Sequence, residues 1–429
     1  MNRLVVSASV IGGLITGFAG LGQAQSTASE WSQFRGPDRS GVSAETGLLR
    51  SWPEGGPREV WRRSIGEGYS GVSIAGDRLC TMFAVGDEEL LACSKVEDGE
   101  ELWRLGIGGA FRDQFGSGPR STPAIDGGMV YALGGKGRLV AASLATGEIV
   151  WQHELTEDFG FYGPEMGPGS PPTGTVRVPA FGYSTSPLIE GDLLIFEAGT
   201  GDGKSCVALD KKTGETRWTA LDEPGITYSS VMPATLGGRR QLLALRPNQL
   251  VSLTPEGEVL WRQPWSMTVA QPVVMLPDKV FLSTTEIAGG QGIPGALVLK
   301  IGGDGQGTAP ETVWESRILR NYSAASVLWG ESIFGFDNAT LRCVAAATGE
   351  PCWARRGLGR GSLVAADGLL FVWGDQGELT LVEATAEEYR QLGQVRVFED
   401  GRTWTPPSLA AGRLYLRGHT EVACLDVKG

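Results

Sequence analysis

Histidine is almost missing from this chain: His153 and His419 are the only two among 429 residues. That scarcity argues against a histidine-built zinc centre. No Asp-x-Asp-x-Asp-Gly calcium loop, no Cys-x-x-Cys-His haem attachment site and no nucleophile elbow occurs either, so no metal or catalytic residue is predicted. Charge is sparse at 20% of residues, and acidic side chains outnumber basic ones for a net charge of −12. Such a balance argues against a partner whose backbone is a line of phosphates, and no nucleic-acid or membrane-surface role is expected. Past the N-terminus no segment approaches the ~18 consecutive apolar residues of a spanning helix. The six cysteines include no adjacent pair.

Glycine, by contrast, is abundant, with 64 residues, and 23 prolines accompany it. Both are dispersed, which reads as many short strands joined by tight turns. The start of the chain reads as a processing segment, residues 1–24. Met1-Asn2-Arg3 supplies a positive charge, Leu4 to Leu21 is uncharged and apolar, and Gly22-Gln23-Ala24 offers small residues where a signal peptidase reads. A periplasmic or secreted location follows, with no lipid-anchored cysteine near the cleavage point and no membrane span in the mature chain. Residues 25–57 read as a lead-in.

The remainder, 58–429, repeats itself. Trp103, Trp151, Trp218, Trp261 and Trp353 each follow a glycine by four positions, at Gly99, Gly147, Gly214, Gly257 and Gly349. The glycine belongs to a hairpin turn that needs positive φ, and the tryptophan lies on the strand leaving it. A large aromatic there can wedge between neighbouring sheets. Six residues before the glycine sits a small residue, at Cys93, Ala141, Ala208, Cys343 and, in the last copy, Cys424. A turn one residue shorter would put Ser252 in that slot in the fourth copy. Three cysteines are thereby accounted for as buried slot-fillers. Cys80 with Cys93, on adjacent strands, is the one candidate pair.

Two counts of the repeat agree. Inner hairpins begin near Ser73, Pro123, Pro187, Pro233, Pro272, Ser326, Ser362 and Ser408. Outer strands carry Trp103, Trp151, Trp218, Trp261, Trp314 and Trp353, with a degenerate seventh around Tyr389 to Val397. The eighth is the strand holding Trp61, which has no inner strands before it, while the last copy stops before an outer one. The expectation is an all-β fold: one eight-bladed β-propeller of four-stranded antiparallel blades, its ring closed by the N-terminal strand so that no sheet edge is left exposed. Insertions fall at residues 156–182, rich in aromatics, and 286–310, rich in glycine.

The form Ala208-Leu-Asp-Lys-Lys-Thr-Gly-Glu-Thr-Arg-Trp218 resembles the repeat of the pyrroloquinoline-quinone (PQQ)-like propellers. That family includes quinoprotein alcohol dehydrogenases and BamB-type outer-membrane assembly factors. Trp31-Ser-Gln-Phe-Arg-Gly-Pro-Asp-Arg-Ser-Gly-Val42 resembles the opening of exported members. The resemblance implies a non-catalytic, BamB-like binding or interaction scaffold of the bacterial envelope. Its alternative is a PQQ- and Ca²⁺-dependent dehydrogenase. Against this stand the missing vicinal cysteine pair that packs on the quinone in those enzymes, and a shorter chain. A sugar- or polymer-binding module is the third reading, drawn from the 156–182 insertion. No cofactor is predicted. Ala198-Gly-Thr-Gly-Asp-Gly-Lys-Ser205 satisfies a loose phosphate-loop pattern, but a strand follows it where a helix is required.

The repeat positions are structural, so recognition is expected in the loops leading from one blade to the next. These hold Arg112, Arg120, Tyr183, Tyr228, Gln271, Arg320, Asn321, Tyr322, Arg360, Arg402 and Trp404. Five arginines on one rim of an acidic protein suggest a face for an envelope protein or a small anionic or peptidic ligand, read by guanidinium forks and aromatic platforms. A monomer is expected.

Overall fold

The computed structural model of the protein describes residues 30–160, 178–200, 202–266, 268–285, 295–302, 309–399 and 402–429. The processing segment 1–24 therefore lies outside the described residues, as do 161–177 of the first insertion and 286–294 and 303–308 of the second, whose centre is the strand Gly295–Lys300 of blade five. What is described is eight antiparallel four-stranded sheets, one small two-stranded hairpin at Arg112–Asp113 and Gly116–Ser117, and a four-residue helix at Leu155–Asp158. Blade one runs from Ser73–Ala75 at the axis through Arg78–Val85 and Glu88–Lys95 to Glu101–Gly109 at the rim. Blade eight takes three strands from the C-terminus and its outer strand, Arg58–Ser64, from the N-terminus. The ring closes as the sequence predicts.

Every blade carries one straight row of four paired residues. In blade one the row is Ser73, Cys80, Cys93 and Trp103. In blade eight it is Ser408, Tyr415, Cys424 and Trp61. The small slot-filler thus stands directly opposite the tryptophan, and the pairing slips by one residue just beyond it in each blade. Such a bulge increases the twist of the outer strand. All six cysteines are free thiols, five of them buried. Cys80 faces Cys93 without a bond, and burial pushes the Cys80 thiol well up.

The glycine of each signature serves the tryptophan of the blade before it. The indoles of Trp61, Trp103, Trp151, Trp218, Trp314 and Trp353 each donate to a backbone carbonyl in the next blade's turn, at Val96, Leu144, Lys211, Pro255, Ala346 and Thr385, over 2.8–3.1 Å. Trp261 is the exception and donates to Gln241 within its own blade, at 2.9 Å. The apolar core is accordingly divided: six clusters each lie between two neighbouring sheets, and a larger one joins blades seven, eight and one with Trp31 and Leu48 of the lead-in. A buried tryptophan removes about 150–250 Å² from water. At ~25 cal/mol per Å² that is a gross gain of at most about 4–6 kcal/mol for Trp61 and Trp261, which are buried, and less for the five that are half-buried.

The outer strand of blade seven has no tryptophan, and Gly393 occupies that place in its row opposite Leu381. The lead-in supplies the ring instead: Trp52 lies so close to Gly393 that a Cβ there would meet Cε3 at 2.8 Å.

The lead-in does more than approach the ring. Residues 31–43 cross one end of the central channel. Trp31 pairs with Ile74 of blade one, Ser32 accepts from Ile125 of blade two, and the Gln33 amide oxygen accepts from Ile189 of blade three. Val42 then bridges to Ala365 of blade seven. Arg35 reaches up the channel to the carbonyls of Ala325 and Ser326 at 3.1 and 2.8 Å, and Arg39 to those of Ser186 and Pro187 at 2.9 and 3.2 Å. Neither guanidinium meets a carboxylate among the described residues, and burial lowers both pKa values. Carbonyl oxygens offset the cost of taking these charges out of water. The channel is plugged from the side of the hairpins joining first to second strands.

Candidate functional site

The other end of the channel is built by equivalent positions of the repeat. Counting back four residues from the axial member of each row gives Tyr69, Arg120, Ser184, Tyr228, Val269, Ser323, Arg360 and Trp404. The blades are alike, but this ring of eight is not. One sector, blades eight, one, two and four, carries aromatics and an arginine.

There Tyr69 and Trp404 stack with ring centres 5.3 Å apart and planes 17° from parallel. Phe115, at the tip of the small hairpin, meets Trp404 edge-on at 5.8 Å and Phe181 at 5.8 Å. Phe181 meets Tyr228 at 5.2 Å. The result is a continuous aromatic arc over four blades. Trp404 is 47% exposed, while Tyr69 is buried. The Tyr69 hydroxyl donates to the Phe115 carbonyl, which pins the hairpin to the mouth. Burial raises the Tyr69 pKa against the pull of Arg402 and Arg120.

Arg120 is the hub of this arc. Its guanidinium lies over Tyr69 at 5.7 Å and Phe111 at 5.4 Å, bonds Asp113 at 2.7 Å and donates to the Phe181 carbonyl at 3.1 Å. Cation–aromatic contacts of this kind hold several rings at once. Beneath Tyr69, the fully buried Arg417 donates to Ser70, Thr81 and Met82 at 2.6–3.0 Å, and burial lowers its pKa.

Other residues singled out in the sequence scatter. Arg112 is exposed and pairs with Asp87 at 2.8 Å. Tyr183 packs fully buried in the core between blades two and three. Asn321 is buried beneath its loop, bonding Phe336 and Ser326 at 3.0 Å each, and Gln271 is also buried. Arg360 is exposed over Tyr322 at 4.7 Å, and Arg402 is exposed beside Tyr69. Arg320 pairs with Asp337 at 2.8 Å in a separate cleft. Tyr69, Phe115 and Phe181 were not anticipated individually. Phe181 does belong to the aromatic insertion, of which 161–177 lies outside the described residues.

No group of three or more His, Cys, Asp or Glu is placed to hold a metal among the described residues. A planar tricarboxylate quinone with its calcium would need such oxygens around an axial chamber. Arg35, Arg39 and Trp31 fill the axis from one side and leave no such chamber at that end.

The sequence is also similar to known proteins. It matches the family described as outer membrane protein assembly factor BamB over residues 46–166 and 172–355. The chain belongs to that family. A BamB of Shewanella oneidensis is 23% identical over 235 residues, half of this chain and 52% of that protein. The chain thus spans about half the length of this curated relative. Among solved structures, BamB from Moraxella catarrhalis superposes with a TM-score of 0.59 at 15% identity, over 86% of this chain and 98% of that one. The quinohemoprotein alcohol dehydrogenase of Comamonas testosteroni gives 0.50 at 13%, over 95% and 82%. At these identities the structures support the propeller fold alone. No described helix is long and apolar enough to cross a membrane.

Proposed function

We propose that this protein is a non-catalytic, BamB-like scaffold of the bacterial cell envelope, acting in the periplasm, and that it grips an extended segment of a partner protein at the unplugged mouth of its channel. The observation that carries this reading is the asymmetry of the mouth. Eight equivalent positions could all be small, as Ser184 and Ser323 are, yet one sector concentrates Trp404, Tyr69, Tyr228 and Arg120 with Phe115 and Phe181 leaning in. Exposed aromatics anchored by an arginine are the residue types that dominate binding energy at protein interfaces. The membership in the BamB family and the plugged opposite end support the same reading. For the quinoprotein alternative the described residues offer no cluster of three or more acidic side chains placed to hold its metal.

Capture from native envelope extract tests it. The wild-type protein is expected to retain an envelope protein that Trp404→Ala and Tyr228→Ala together release. Retention unchanged by both substitutions overturns the assignment of the mouth, and capture of a glycan in place of a protein would favour polymer binding.

A further inference from the structure

Away from the mouth, the loop face of blade six holds an open cleft of about 570 Å³. It is lined by Arg320, Asp337, Asn338, Thr340, Arg342 and Arg356. The sheet places four of these on one face. Asp337 pairs with Thr340 and Thr340 with Arg356, so their side chains project the same way, and Arg342 lies two residues along that face. Arg320 joins them from the loop that enters the blade.

Asp337 is the organiser. Its side chain is 3% exposed, and it accepts from the Nε of Arg320 at 2.8 Å through one oxygen and from the Nε of Arg342 at 2.9 Å through the other. One carboxylate therefore holds two guanidiniums by their inner nitrogens. Among the described residues no side chain or carbonyl accepts from the outer nitrogens of either, and Arg356 is exposed with no carboxylate partner. Three arginines against one aspartate leave the cleft with two positive charges in a protein whose net charge is −12.

The geometry points to a binding site for a phosphate group. A carboxylate monoanion would engage one fork, whereas a tetrahedral dianion presents three oxygens and two charges, matching two oriented forks and a third arginine. Pre-set guanidiniums need little reordering when the anion arrives, because Asp337 already fixes them. The phosphate can come from a free ion or from a lipid whose headgroup is a phosphomonoester, as in phosphatidic acid, and the site is independent of the partner-binding mouth.

The test is titration of the full chain with inorganic phosphate at constant ionic strength, with acetate as the carboxylate comparison. Saturable phosphate binding, tighter than acetate, is expected, and Arg342→Gln or Arg356→Gln should weaken it about tenfold each. Arg320→Lys keeps the charge but loses the fork, and is expected to weaken binding as well. Arg112→Gln, exposed on another blade, should leave it unchanged. Because Arg356 is exposed, its variant tests the site even if those touching Asp337 fold poorly. Sedimentation with phosphatidic acid against phosphatidylcholine vesicles separates the sources. Binding to the former that Arg356→Gln abolishes identifies a headgroup, and binding of the free ion alone identifies a soluble phosphate. No saturable phosphate binding, or binding by the Arg342 and Arg356 variants as tight as that of the wild type, overturns the site.

Discussion

Gly99 of blade one lies flat against the indole of Trp61 from the closing strand of blade eight, so close that a Cβ at Gly99 would stand 2.8 Å from the ring. The same contact recurs where Gly147 meets Trp103, Gly214 meets Trp151, Gly257 meets Trp218 and Gly349 meets Trp314. Glycine is required there twice over. Its φ of 72° suits no other residue well, and its missing side chain makes room for the neighbour's ring. Gly99→Ala should therefore cost about 2–4 kcal/mol, combining backbone strain with overpacking. Gly76→Ala has a φ of 57° but nothing within 4 Å, and should cost about 1 kcal/mol. Urea midpoints of the two variants check the difference. Equal losses would mean that the ring contact carries no weight.

Trp52 and Trp404 should separate stability from function. Trp52 fills the place left by Gly393, and Trp52→Ala is expected to lower stability by about 3 kcal/mol through the cavity it leaves. Trp404 is half exposed, and its truncation should change stability by no more than about 0.5 kcal/mol while releasing the partner. Thermal melts beside a capture assay read both.

Glu197 and Arg246 form an ion pair with neither side chain exposed, at 3.2 Å. Burial pushes the Glu197 carboxyl up to about 7, against the attraction of Arg246. In the unfolded chain it titrates at its ordinary value near 4.5. Between these pH values the folded state holds the extra proton, so this group's contribution is fully present below about 4.5 and is lost as pH rises through about 7. Wild-type stability relative to Glu197→Gln should fall from pH 5 to pH 7.5, read from paired urea melts. A difference that grows across this window would reverse the assignment.

Thiol labelling should follow burial. Cys352, the half-buried one, is expected to react first with an aromatic disulfide reagent, while Cys80, Cys93, Cys206, Cys343 and Cys424 react only as the protein unfolds. Burial raises the thiols of Cys206, Cys343 and Cys424 to about 12 and slows them further. Rapid native labelling of Cys80 or Cys93 would contradict the packing of blade one.

The blade architecture was legible because it repeats: Trp61 without preceding inner strands and Cys424 without a following outer strand had to belong together. The mouth was partly legible, since Tyr228, Arg120 and Trp404 precede inner strands at equal spacing. Other features were hidden for physical reasons. Tyr183 and Asn321 look like rim residues in sequence, and only packing shows that the chain turns them inward. Phe115 becomes part of the mouth because a hairpin of four paired residues folds back over Tyr69. The plug made by Arg35 and Arg39 obeys no period, and its contacts reach across 147 to 291 positions of sequence. Trp52 is likewise separated from the repeat it completes.

The most direct test of the scaffold reading places a photo-reactive amino acid at position 404, on the aromatic mouth, or at position 276, where Leu276 is 71% exposed on the plugged side. Irradiation in intact envelopes is expected to cross-link the mouth variant to an envelope protein and to leave the position 276 variant free. Cross-linking from position 276 with none from 404 would contradict the account.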